Sequence, residues 1–349
     1  MILYFSIILF IVLLSSSFWP KDQWTNGYIS MEQSNNVKGI FTLLIFLGHS
    51  ASFIEVNGLL DTPYLMIISH LEQAVVVMYL FYSGYGMTES YKKRKTDYIR
   101  SLPSKRIVPL FFNFTLSIVL HIIMCFYLGV LPSVSQIILS FLGWISIGNY
   151  NWFVFVIISL YILFGLSFAF SSKIQSEKTA LKTGALIMTV LSVALILLFR
   201  FPGKRPTYFY DTLLTFPLGI WFSIYKEKID TYLSSRLRFL GAVVVCLLIY
   251  INAFMFRDMS FWIYEIWTVS ATIIFLFITM KIKISSRILT FFGKLALPML
   301  LLQGLPFNIL SHLKVNDYPY LFVFLSFVIS VLISVLFNKF TKLIGTTKK

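Results

Sequence analysis

The sequence predicts an all-α protein that crosses a membrane about eleven times. Three observations carry that expectation. Of 349 residues, 58% are hydrophobic and only 12% charged, against about 25% charged in a soluble domain. The apolar residues form long continuous runs, which excludes a transmembrane barrel, whose strands alternate. The basic residues fall in alternate connecting stretches, as orientation in a membrane requires.

In chain order the hydrophobic segments are 2–19, 37–56, 63–88, 107–130, 150–172, 182–200, 209–226, 238–256, 261–280, 288–312 and 319–338. Each is long enough to span as a helix with some tilt. Segment 2–19 lacks the positive start and small-residue cleavage site of a secretory signal, ending Ser-Ser-Ser-Phe-Trp-Pro. It is therefore expected as a retained additional helix over 1–19 with its N-terminus outside; a cleaved signal is the alternative. A main membrane domain covers 35–338, and a basic cytoplasmic tail covers 339–349. Assigning 20–38, 89–106, 171–182, 226–238, 281–294 and the tail to the cytoplasm collects every Lys and Arg except Arg200, Lys204, Arg205, Arg257 and Lys314. The stretch 131–149, Gly- and Ser-marked, reads as an interfacial or re-entrant helix. No polar stretch approaches the size of a soluble domain. Cys125 and Cys246 both sit in apolar runs and form no disulfide or metal-ligand spacing. The net charge of +15 follows the topology, so it does not point to nucleic acid.

The chemistry concentrates in four stretches. Lys38 opens the apolar run of 35–50, and His49 follows eleven residues later. At about 100° per residue the two share a helix face, roughly 16 Å apart along the axis. Lys38 thus falls at the cytoplasmic surface and His49 in the outer half, where an ionisable group marks a functional site. The second stretch, 75–87, is aromatic and carries Ser83, Gly84 and Gly86 near its cytoplasmic end. These residues permit close approach of a helix or of a ligand, and both readings stand. Lys105 and Arg106, abutting the next span, are placed to meet a phosphate. The third stretch is Asn149-Tyr150-Asn151-Trp152-Phe153-Val154, whose aromatic residues suit a membrane interface. The fourth, 292–306, holds Gln303 inside the bilayer, where it needs a partner.

Other ionisable residues extend the set. His121 lies within a span, while His70 and His312 lie near outer helix ends. Among the carboxylates Glu72, Asp211 and Glu265, which fall in or at the edge of spans, Asp211 or Glu265 is expected to orient His49 as a base–orienter pair. Arg200, Lys204 and Arg205 belong either to an exposed outer loop or to a basic mouth for an anionic glycan.

Taken together the four stretches resemble the membrane-bound acyltransferase-3 family, which O-acylates sugars of bacterial surface polysaccharides. The family's frame of Arg, ten residues, then His is similar to Lys38 through His49, followed by Ser50. Its aromatic run ending in Ser-Gly-Tyr is matched by Phe81-Tyr82-Ser83-Gly84-Tyr85, and its Arg before Ile-x-Pro by Arg106-Ile107-Val108-Pro109. Trp152-Phe153, the turn Phe216-Pro217-Leu218-Gly219 and the late helix from Gly293 complete the order. The resemblance spans about 35–335 and makes 2–19 an addition to a ten-helix pattern. There are departures: Lys38 stands for Arg, losing the bidentate fork; Pro103 stands where the first Arg of a pair is usual; Gln303 stands where many relatives carry His.

The resemblance implies transfer of an acyl group, acetyl first among them, from cytoplasmic acetyl-CoA as co-substrate to a sugar hydroxyl on the outer side. The acceptor would be a polysaccharide or lipid-linked glycan, reached from a multi-pass position in the bacterial cytoplasmic membrane, with membrane lipid the other partner. His49 would act as general base or as acyl relay, with Lys38, on the same helix face, as the other catalytic residue of the frame. Lys38, Ser83, Lys105 and Arg106 would hold the donor, and Trp152, Arg200, Arg205 and Gln303 the acceptor. No metal and no bound cofactor is expected. The rival reading of the same spans is a transporter, flippase or polymerase for lipid-linked glycans. It is disfavoured because neither paired inverted repeats nor a large outer loop is visible in the sequence.

Overall fold

The computed structural model describes residues 1–349 except 21–23, 57, 59–60, 72, 151 and 347–349, and leaves the side chains at 24, 26, 69, 70, 345 and 346 undescribed. Glu72, Asn151 and the His70 side chain lie outside the described residues. The described chain is an all-α bundle with a single two-stranded sheet. Its order is α1 Ile2–Ser15, β1 Ser16–Phe18, α2 Trp24–Gly27, α3 Met31–Ala51, α4 Thr62–Leu71, α5 Ala74–Leu102, α6 Val108–Tyr127, α7 Val134–Phe141 and α8 Trp152–Ser171. It continues with α9 Glu177–Arg200, α10 Thr215–Leu233, α11 Arg236–Phe256, α12 Phe261–Lys281, β2 Ile282–Ile284, α13 Arg287–Lys294, α14 Ala296–Leu302, α15 Gly304–His312 and α16 Pro319–Thr346. Six helices among the described residues, with Ala74–Tyr127 taken as one, are long and apolar enough to cross a membrane, or seven with the bent pair Arg287–Lys294 and Ala296–His312. This is the make-up of a multi-pass membrane protein; the expected count of about eleven crossings is not confirmed by length and composition.

Several expected boundaries move, each for a local reason. α3 starts at Met31, six residues before the apolar run, because Ser30 caps it by accepting from the Gln33 N–H. The polar turn that follows is buried instead of looped out. Gln33 donates its amide nitrogen to the Ile282 carbonyl (2.9 Å) and accepts from the Ile284 N–H (3.0 Å), so one side chain satisfies both groups on an edge of β2. Asn36 accepts from the Ser286 N–H at 3.0 Å. β1 pairs antiparallel with β2, Ser16 opposite Ile284 and Phe18 opposite Ile282, and the Trp19 indole donates to the Thr279 carbonyl. The additional N-terminal helix is thereby fastened beside α3.

The stretch 89–106, read as a basic loop, is helical instead. α5 runs on through it to Leu102 with one break at Lys95 (φ 50°, ψ −130°), and a five-residue π turn over Pro103–Ile107 leads into α6. Lys95 pairs with Glu177 and Lys92 with Glu89, so part of the basic cluster is neutralised on the helix. α6 packs against α8, α14 and α15, and Arg106 and Leu110 reach the same cavity as Ser83 and Gly86. Segment 209–226 shifts to Thr215–Leu233, after a short 3₁₀ turn at Thr207–Phe209. Segment 288–312 is broken into α13, α14 and α15, with a 58° bend after α13. Within 131–149 only Val134–Phe141 is helical, opened by a capping box of Ser133 and Gln136.

Two glycine pairs set the spacing of the core. A Cβ on Gly84 would lie 2.1 Å from the Phe216 carbonyl oxygen, and one on Gly219 would lie 2.2 Å from that of Phe81. α5 and α10 therefore pack backbone to backbone at this level. Gly39 against Leu289, and Gly293 against Asn35, do the same for α3 and α13 at 2.0 Å each. α3, α5 and α13 each contribute residues to one cavity.

Candidate functional site

α3 contributes a stripe to that cavity. Ser34, Lys38, Thr42 and Ile45 recur at helical spacing and line it, and His49 is the next residue on the same face. The cavity, about 530 Å³, is closed from other sides by Val76, Tyr79, Tyr82, Ser83, Tyr85 and Gly86 of α5, by Arg106 and Leu110, by Phe153, Ile157 and Tyr161 of α8, and by Lys294, Leu297, Leu300 and Gln303. One end is cationic, with Lys38, Arg106 and Lys294 on its wall. Among the described residues none of these three forms a salt bridge with a carboxylate. The Lys38 backbone is fixed: the Tyr79 and Thr42 hydroxyls lie 2.8 Å apart and both reach its carbonyl. The Tyr82 hydroxyl is buried with no hydrogen-bond partner among the described residues.

At the other end stands Gln303, at the junction of α14 and α15 and 1% exposed. Its side-chain amide nitrogen, Nε2, lies 2.8 Å from the His49 Nδ1, an assignment that turning the amide over would exchange for the oxygen. The Tyr150 ring stacks on the imidazole, centroids 3.7 Å apart and planes 1° from parallel. Tyr150 is placed by a turn in which Asn149 accepts from the Ile147 N–H and from the Ser146 hydroxyl. His49 is thus held by one edge and one face. The chemistry depends on which amide atom faces Nδ1. The amide nitrogen would donate to Nδ1 and leave the proton on Nε2. The amide oxygen would accept from Nδ1–H and leave Nε2 a free base.

The structure brings four residues singled out from the sequence, Lys38, Ser83, Arg106 and Gln303, onto one cavity, with His49 a hydrogen bond beyond it. It does not bring the others there. Lys105 is exposed and absent from the cavity wall. Glu265 is buried, but its two oxygens accept from the Leu213 and Leu214 N–H groups at 3.2 and 3.3 Å, which completes the start of α10. Thr268 binds the backbone of Asp211, a buried residue, in that same region. The neighbour of the His49 Nδ1 is an amide, not a carboxylate. Trp152 packs against Tyr208 and Phe209. Arg205 donates to the Trp144 carbonyl and lies 4.2 Å from the centroids of Trp144 and Phe209, and Arg200 lies 4.3 Å from that of Phe261. Both arginines rest on aromatic faces. His121 is buried, its Nδ1 bonded to the Ser117 carbonyl at 2.8 Å, and its ring fits where Gly304 has no Cβ.

Sequence reading missed Lys294, counted there as topology, and missed Tyr150 as a contact of His49. Thr42 and Ile45 carried a usable signal, since they fall between Lys38 and His49 on one face. A larger, mostly apolar groove of about 1010 Å³ between α11 and α12 takes in Glu265 but gathers no second polar group deep in the bundle beside it except Ser270.

A family model described as an acyltransferase domain matches residues 31–339, nearly the whole chain. Neither the curated proteins nor the solved structures give a match.

Proposed function

Because the chain belongs to the acyltransferase-3 family, we propose that it moves an acyl group, acetyl first, from acyl-CoA to a hydroxyl of a surface glycan. The observation that carries this reading is one cavity with three cations at one end, none in a salt bridge among the described residues, and the Gln303–His49 pair at the other. Lys38, Arg106 and Lys294 suit the phosphates of a nucleotide-bearing donor. The unpartnered Tyr82 hydroxyl suits an amide carbonyl of the pantetheine arm.

In the reaction, the Gln303 amide is turned over from its arrangement in the structure so that its oxygen holds the proton on Nδ1, and Nε2 of His49 takes the hydroxyl proton. The alkoxide attacks the thioester carbonyl. The new C–O bond forms, the C–S bond breaks, and the imidazolium returns its proton to the departing thiolate. The pair follows base–orienter logic, with an amide in the orienting position. We place the basic end of the cavity at the cytoplasm and His49 in the outer half of a bacterial cell membrane, with the N-terminus outside and the C-terminus inside. Eleven crossings follow when α5 and α6 are counted separately and α1, α3 and α10 are added to the apolar helices. In this placement the donor enters from one side and the sugar from the other.

The test is the O-acetyl content of the surface glycan, read by proton NMR in a deletion strain carrying wild type or His49→Ala at equal expression. Wild type should restore the acetyl signals and His49→Ala should not. Restoration by both would remove His49 from the chemistry. A deletion that keeps its acetyl groups but loses or truncates the polymer would replace this reading with a transporter or polymerase.

A further inference from the structure

The cavity ends one turn short of the imidazole. On α3 its lining stops at Ile45, and His49 lies roughly 6 Å farther along the axis. With Ile45, the inner end is made by Val76 of α5, Phe153 of α8, Leu300 of α14 and the Gln303 amide. Val76 is 6% and Phe153 9% exposed, and both belong to the core cluster that continues through Ile157, Leu160 and Phe164. Ile45 and Leu300 pack against that cluster. At this end the cavity is therefore bounded by apolar side chains, with the Gln303 amide the polar group among them.

We propose that Ile45, Val76 and Phe153 form the wall that limits the donor's acyl group to two carbons. The inference rests on the acyl-CoA reading above. For His49 to act, the thioester carbonyl must lie beside the Gln303–His49 pair. The donor's phosphates are meanwhile held at Lys38, Arg106 and Lys294, so the carbon beyond the carbonyl meets Ile45, Val76 and Phe153. A methyl group ends there. Each further methylene has to displace a side chain that is already close-packed, and such interiors yield little. A single methylene in a packed pocket changes discrimination about 10- to 200-fold.

The experiment uses the full chain purified in detergent, with acetyl-CoA and butyryl-CoA as probes and dissociation constants read by titration calorimetry. Wild type should bind acetyl-CoA at least about tenfold tighter than butyryl-CoA. Ile45→Ala should bring that ratio close to one, with Ile45→Val between the two. Phe153→Leu serves as a second opening of the wall should Ile45→Ala not fold. Equal binding of the two probes by wild type overturns the wall, as does a wild-type ratio retained by the folded variants. Failure of wild type to bind any acyl-CoA, coenzyme A included, overturns the donor reading and the wall with it.

Discussion

Replacing Gln303 by leucine removes the side-chain hydrogen-bond partner that the described residues give the His49 Nδ1 and keeps the volume nearly constant. The lost bond is 2.8 Å long and Gln303 is 1% exposed, so water cannot readily take its place. Leaving a buried ring N–H unpaired costs about 1–3 kcal/mol. If that cost falls on the reactive arrangement, the rate drops about 5- to 150-fold, at a factor of ten per 1.4 kcal/mol. Donor binding should change little, because Lys38, Arg106 and Lys294 hold the far end of the cavity. The effect therefore belongs in kcat, not in KM for acetyl-CoA. The assay is the initial rate of acetyl transfer from labelled acetyl-CoA to glycan in membranes carrying each variant at matched levels. Gln303→Glu separates the two amide orientations, since a carboxylate can accept from Nδ1–H but cannot donate. It should keep the rate within about fivefold if the oxygen is the working atom. A Gln303→Leu rate within twofold of wild type would refute the orienting role. A Gln303→Glu rate as low as that of Gln303→Leu would refute the assignment of His49 Nε2 as base.

Two further predictions concern the other end of the site and the scaffold. Lys38→Ala and Arg106→Ala should each raise KM for acetyl-CoA about 10- to 100-fold, the worth of a charge-assisted hydrogen bond. The gap should narrow as salt rises, and Lys38→Arg should keep or tighten binding through its fork; a salt-independent KM would remove phosphate contact from these residues. Gly84→Ala should cost about 1–3 kcal/mol by forcing α5 and α10 apart, read as a lower thermal unfolding midpoint in detergent, whereas Gly86→Ala, with open space beyond its Cα, should leave the midpoint unchanged.

The motif around Ser83 shows how far sequence reasoning reached. A helix seam and a ligand contact were both open for Ser83, Gly84 and Gly86, and both apply on neighbouring residues. Gly84 is the seam against Phe216, while Ser83 and Gly86 face the cavity. One hundred degrees of helix rotation per residue separates the two roles, and only the position of α10 decides which residue takes which. The basic stretch 89–106 was read as loop because charge in a membrane protein signals a connection. The structure makes it helix, since Glu89 and Glu177 pair with its lysines and nothing in its composition forbids helical φ/ψ before Pro103.

The sequence by itself determined the all-α membrane class, the shared face of Lys38 and His49, and the family. These follow from hydrophobic run length and helical period, which are local properties of a chain in a bilayer. Tertiary structure decided what completes the site. Gln303 is 254 residues from His49 and Lys294 is still farther along the chain from Lys38. Bringing them together needs the break between α14 and α15 and the close glycine contacts of α3 with α13. Asp211 and Glu265 looked equally eligible as partners in one dimension, because a buried carboxylate must have some donor. The donors that Glu265 found are backbone groups at the start of α10, and that choice is made by packing alone.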